Sequence, residues 1–265
     1  MSTDKRDDTP RMRLWDDREN ARKAKTAILI LTEAFDAVMD AGQITVHAQT
    51  SHVFHATFGW WAWIMRSSKA AVLLHDNGLD HEADPIIRSI LQHALVLQWV
   101  IDVGDQALEA VAEHGENEQR RFFVHAQRAG WPSPEAVGAP VAPKPDTPHP
   151  LLPMVKNFAE LCRAYDAQTA YVAFSLYSAH VHPSVQGAMA YLDDQTGLRG
   201  TPAPESYSGL LHTAACSIQT TKTINRLIAG QPFDQAISRA EQALGTRIDP
   251  PALRPEHRPP PPSTS

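Results

Sequence analysis

Apolar residues return along this chain in steps of three and four, the spacing of a helix, and nowhere alternate like one face of a sheet. Over 16–40, Ala24, Ala27, Ile28, Leu31, Ala34, Phe35, Val38 and Met39 form one stripe, with Arg22, Lys23, Asp36 and Asp40 facing out. A second helix is predicted over 51–76, heavy with Phe54, Phe58, Trp60, Trp61 and Trp63, and ended by Asn77-Gly78. The third is predicted to start with Asp84 as its cap and Pro85 as its first residue, and to reach Ile101. Its stripe of Ile87, Ile90, Ala94, Leu97 and Ile101 is joined by Ile86, Leu91, Leu95 and Val100 on other sides, so it should be surrounded by protein. The tight turn between the second and third helices makes them an antiparallel hairpin. A fourth helix over 105–129 shows a charged face of Glu109, Glu113, Glu116, Glu118, Arg120 and Arg121.

The pattern then changes. Residues 131–153 hold eight of the 21 prolines, which excludes a continuous helix or central strand and predicts an extended connector. Helices resume over 154–165, 167–181, 185–192, 205–229 and 234–244, with His182-Pro183 closing the second of these. The expected fold is therefore all-α: a helical bundle with antiparallel helix hairpins. A flexible leader spans 1–14, a helical domain spans 15–248 in halves 15–130 and 154–248, and a proline-rich tail over 249–265 is expected to be disordered.

Composition narrows the function classes modestly. The net charge of −6 provides no global attraction to phosphate backbones. The most apolar run, 53–74, is interrupted by His55, Arg66 and Lys69, which are costly in hydrocarbon, so it reads as a core helix rather than a membrane span. Two distant cysteines, Cys162 and Cys216, and a charged N-terminus without an apolar stretch fit reduced core thiols in a cytoplasmic protein.

Candidate chemistry lies where polar residues interrupt apolar helices. Arg88, Gln92 and His93 fall in the third helix, and an unpaired buried arginine demands a partner or a ligand. Near 181, Tyr171, Ser175, Ser178 and His182 form a stripe, with Tyr177 and His180 beside it. If both helices face one cavity, Arg88 can bind an anion or phosphate, His93, His180 and His182 can serve as acids or bases, and Gln92, Tyr177 and Ser178 can hold the ligand. The alternative is a hydrogen-bond network that fixes helix register. His52 and His55 lie one turn apart without a carboxylate or cysteine, and His81-Glu82 lacks a second histidine at helical spacing, so neither metal nor cofactor is expected.

The run Arg88-Ser89-Ile90-Leu91-Gln92, followed by Tyr177-Ser178-Ala179-His180-Val181-His182-Pro183, resembles a bacterial all-helical family without an assigned activity. The likeness covers about 51–183, and that family more often carries Glu where Gln92 stands. Arg88 and His93, with four residues between them, also resemble the Arg-x4–6-His signature of the HEPN superfamily, helical bundles that include metal-independent ribonucleases of toxin and phage-defence systems. That resemblance implies RNA as substrate, Arg88 and His93 near the scissile phosphate, and action across a homodimer. Ser89 departs from the Asn, Asp or His often found after that arginine, and a five-residue step sets the two side chains about 140° apart around the helix. Two readings follow: a HEPN-like ribonuclease, or a non-enzymatic sensor or adaptor for a small anionic ligand or a protein partner.

Overall fold

The computed structural model describes residues 17–42, 44–132, 143–193, 197–202 and 209–258. Among these residues there are ten α-helices and no strand, so the all-α expectation holds. They are α1 (Asp17–Asp40), α2 (Ser51–Asp76), α3 (Asp80–Val103), α4 (Asp105–Arg128), α5 (Leu152–Lys156), α6 (Phe158–Ala164), α7 (Gln168–Val181), α8 (Val185–Met189), α9 (Gly209–Asn225) and α10 (Asp234–Leu244). Leader residues 1–14 and tail residues 259–265 lie outside the described residues.

Helices α2 and α3 form the predicted antiparallel hairpin. Asn77 and Gly78 make the turn, with Gly78 at φ 69°, a left-handed conformation glycine adopts without strain. The hairpin does not close the core alone. Helix α9 lies against α1, α2 and α3, and α7 packs on another side of α3. Trp61, Trp99, Tyr177 and Phe233 are the largest fully buried side chains, and Trp61 meets Phe35 and Phe233 edge-on at 4.8 and 5.1 Å. Helix α3 has the length and hydropathy of a membrane span, but half of that window is buried by its neighbours, as suits a central core helix.

Helix α9 reaches the centre with small hydroxyls rather than large apolar groups. Thr213, Ser217 and Thr223 are buried and return their protons to carbonyls one turn earlier, at 2.8 to 3.1 Å. Ser217 also meets Ser68 of α2 at 2.9 Å. At its start the backbone runs so near α3 that a Cβ on Gly209 would lie 2.4 Å from Ile87 Cδ1. Only glycine fits there without moving Ile87.

Three expectations need correction. Helix α3 begins at Asp80, not beside Asp84, so Pro85 lies inside the helix and Asp84 does not cap it. Pro85, the sixth residue of the helix, cannot donate to the carbonyl of His81, so the ladder of α3 lacks one bond in its second turn. The helix expected over 154–165 is two pieces, because Asn157 leaves the helical basin (φ −123°, ψ 99°) and its side chain caps α6 through the Ala159 N–H at 3.1 Å. The tail expected to be disordered from 249 is held through 258. Leu253 is buried, the Arg254 N–H donates to the Ala164 carbonyl at 2.9 Å, and Gln98 donates to the Pro251 carbonyl. Apolar Leu253 supplies an anchor that proline content alone does not reveal.

Candidate functional site

The first turn of α3 and the last turn of α7 meet around one open cavity of about 520 Å3. Asp84 lies behind the cavity lining, 1% exposed, and the Nδ1 of His180, which does line the cavity, bonds its Oδ2 at 2.5 Å. The ring of His81, one turn before Asp84 on α3, lies 4.9 Å from the His180 ring. One donor atom each from His81, Asp84 and His180 all fall within 4.8 Å of one another. These three residues are the most concentrated chemistry among the described residues.

Local sequence explains the placement. The i, i+3 step puts His81 and Asp84 on one face of α3. Pro183 forces His182 into an extended conformation (φ −104°, ψ 146°), which ends α7 just after His180. Ser184 then caps α8, accepting from the Gly187 N–H at 3.0 Å and donating to the Ala179 carbonyl at 2.6 Å. This folds α8 back, so Gly187 and Tyr191 complete the wall. A Cβ on Gly187 would lie 3.3 Å from the Ala179 carbonyl oxygen, so the small residue permits the close return. Tyr191 donates its hydroxyl to Glu82 at 3.2 Å across the mouth.

Bonding to Asp84 fixes the orientation of the His180 ring at the cavity. The imidazoles and carboxylate that line the cavity are His81, His180, His182 and Glu82, with Asp84 bonded behind His180. With neutral imidazoles this set is anionic. It therefore suits a cation better than an anion. Two imidazoles with one carboxylate are also a donor set common to transition-metal sites, a grouping that spacing along the chain does not reveal.

The structure separates the other site residues predicted from sequence. Arg88 lies one turn beyond Asp84, half-buried, with Nε donating to Ser178 Oγ at 2.8 Å and its guanidinium 4.2 Å from the Phe174 ring centroid. Burial pushes its pKa down from the ordinary arginine value. Arg88 and Ser178 thus share the α3–α7 seam with His180, but neither lines the cavity. His93 is turned away: its Nδ1 bonds the Ser89 carbonyl at 2.8 Å and its ring stacks on Trp63 at 4.4 Å. Arg88 and His93 therefore do not form one constellation, as their five-residue step foretold. Tyr177 is buried with its hydroxyl 2.7 Å from His212 Nδ1 on α9, so it faces the core rather than His180. Gln92 is half-buried and outside the cavity, whereas His182 is exposed at its rim.

Sequence reading missed Asp84, His81 and His212. Asp84 was assigned to capping and His81 to a turn, although the pair His81-x-x-Asp84 at helical spacing was visible. His212 carried no local signal.

A model of a protein family matches residues 54–199, a span that starts in α2 and ends beyond α8. The chain belongs to DUF5677, a family of unknown function. No curated protein and no solved structure matches the chain. The DUF5677 region holds His81, Asp84, Arg88, Ser178 and His180 together, while α1, α9 and α10 lie outside it.

Proposed function

We propose that this DUF5677 protein binds a divalent transition-metal cation through His81, Asp84 and His180 and uses it for hydrolysis. The observation that carries the reading is the buried Asp84 bonded to His180 with His81 beside them, at the wall of an open cavity. Coordination bonds of about 2.0–2.2 Å need donors roughly 3.3 Å apart, so a cation would take the place of the proton shared by Asp84 and His180, spread that pair and draw His81 inward. Three protein ligands leave a position for water or substrate, the arrangement of catalytic rather than structural sites. A cation held there supplies Lewis acidity. The chain's own groups would do the rest: Asp84 holds a ligand position and neutralises charge, while His182 and Glu82 at the rim are placed to move protons.

A second reading retains the metal-independent, HEPN-like ribonuclease, or a sensor of a small anionic ligand. It is favoured by Arg88, which the Ser178 bond holds on the same seam as His180. In this form Arg88 would bind phosphate and His180, steadied by Asp84, would be the base, with no part for His93.

Elemental analysis of untagged protein, calorimetric titration with Zn2+ and Mn2+, and RNA and ester hydrolysis with and without EDTA test both. One cation per chain, lost in His81→Ala and Asp84→Asn, with EDTA-sensitive hydrolysis, is the expected outcome. RNA cleavage that survives EDTA but not Arg88→Met would replace it with the ribonuclease. No cation and no hydrolysis would leave Asp84–His180 as a structural clasp.

A further inference from the structure

A second cavity, of about 790 Å3, lies along the C-terminal half of α4, facing the segment that leads into α5. Its volume falls within the roughly 300–1,000 Å3 of small-molecule sites. Five cations line it: Arg120, Arg121, Arg128, Lys144 and Lys156. Glu118, the carboxylate among the lining residues, is already bonded by Arg121 at 2.8 Å. Among the described residues Arg128, Lys144 and Lys156 enter no ion pair. Such a gathering in a chain of net charge −6 is uneven enough to require a reason.

The end of a helix accounts for one of these charges. Arg128 in the last turn of α4 complements the helix dipole. Lys144 and Lys156 come from other parts of the chain, and their approach adds repulsion that no ion pair to either lysine offsets among the described residues. A bound anion would offset it. Arg120 is already oriented, with one terminal nitrogen donating to Asn117 Oδ1 at 2.9 Å and the other to the Pro143 carbonyl at 3.3 Å. His114 also lines the cavity, and its Nδ1 is shielded from solvent without a hydrogen-bond partner among the described residues. An imidazole nitrogen so placed is completed by an ordered water or by a ligand in the cavity.

We propose that this cavity binds a small molecule carrying adjacent phosphate groups. Several cations around one hollow favour closely spaced charges over a single one, and arginine forks match phosphate oxygens. A long nucleic-acid strand is disfavoured by the same helix. Beyond the cavity α4 presents Glu109, 70% exposed, and Glu113 and Glu116, which would repel a backbone running along it.

The site shares no lining residue with the cavity of His81 and His180, so it can be tested apart from the metal reading. The experiment is calorimetry on the full chain in EDTA at low salt, with orthophosphate, pyrophosphate, tripolyphosphate and a single-stranded ten-nucleotide DNA as probes. Tripolyphosphate should bind saturably, one per chain, and more tightly than orthophosphate. The double variant Lys144→Ala/Lys156→Ala, and separately Arg128→Glu, should weaken it about tenfold or more, while His180→Ala leaves it unchanged. These three cations are exposed, so circular dichroism and melting should stay as in the parent. No saturable binding, equal binding by the variants, or a preference for the oligonucleotide over tripolyphosphate would each overturn the proposal.

Discussion

Asp84 and His180 are 96 positions apart in the chain and 2.5 Å apart in space, and their bond joins the start of α3 to the end of α7. Because Asp84 is buried, removing either member deprives the other of a short hydrogen bond that water reaches poorly. Asp84→Ala should lower unfolding free energy by about 1–3 kcal/mol in urea titration, and Asp84→Asn by less, since an amide still accepts from His180. Equal stability of Asp84→Ala and the parent would contradict the clasp.

Arg88 illustrates a contact that depends on shape as well as charge. Lysine keeps the charge but has no Nε to reach Ser178 and no planar fork to lie on Phe174. Arg88→Lys should therefore destabilise by about 1 kcal/mol, as should Phe174→Leu, and the double variant should fall short of the sum. Strict additivity across that cycle would show that the stacking contributes nothing.

Acid sensitivity should trace in part to His212. Burial holds its pKa below the ordinary value of 6.5, so the folded protein binds fewer protons there than the unfolded chain. Its contribution is complete above 6.5 and is lost as the pH falls through the lower folded value. His212→Gln keeps a polar partner for Tyr177 but does not titrate. The loss of urea midpoint between about pH 7.5 and pH 5.5 should be smaller in that variant than in the parent, and an equal loss would assign the sensitivity elsewhere.

The thiols should be silent in the folded state. Cys162 and Cys216 are buried and unpaired, and burial pushes both up to about 12. A thiol reagent at neutral pH should label neither until denaturant is added. Stoichiometric labelling of the native protein would contradict their burial.

Much of this architecture was written in local pattern. The stripe of Ile87, Ile90, Ala94 and Leu97 announces a core helix, and Asn77-Gly78 announces the hairpin, because each is decided by neighbours in the chain. Helix α9 was legible as a helix but not as a centre, since Thr213 and Ser217 look solvated until their protons are seen returning to their own backbone. Leu253 was lost among prolines for a similar reason: one apolar side chain can fix a segment whose composition suggests none. For the site, residue types on α3 and α7 pointed to the right seam. They could not show that Asp84 meets His180 or that Tyr177 turns toward His212, because side-chain partners ninety or thirty-five positions away are chosen by packing.

Leu253 gives a further expectation. Leu253→Ala should cost about 2 kcal/mol or more, and proteolysis that spares the parent at 249–258 should cut the variant there. Early cleavage of the parent in that segment would mean it is not anchored.

Helix α9 also separates kinship from foldability. The DUF5677 match ends at 199, yet α3 relies on α9 to cover one side, and Gly209 lets that cover sit directly on Ile87. A fragment cut at 54 and 199 would bare Trp61, Ile90 and Leu97 to water and should aggregate or remain molten. In this chain the matched segment holds Asp84 and His180, and the flanking helices supply the lining that lets it become a solid.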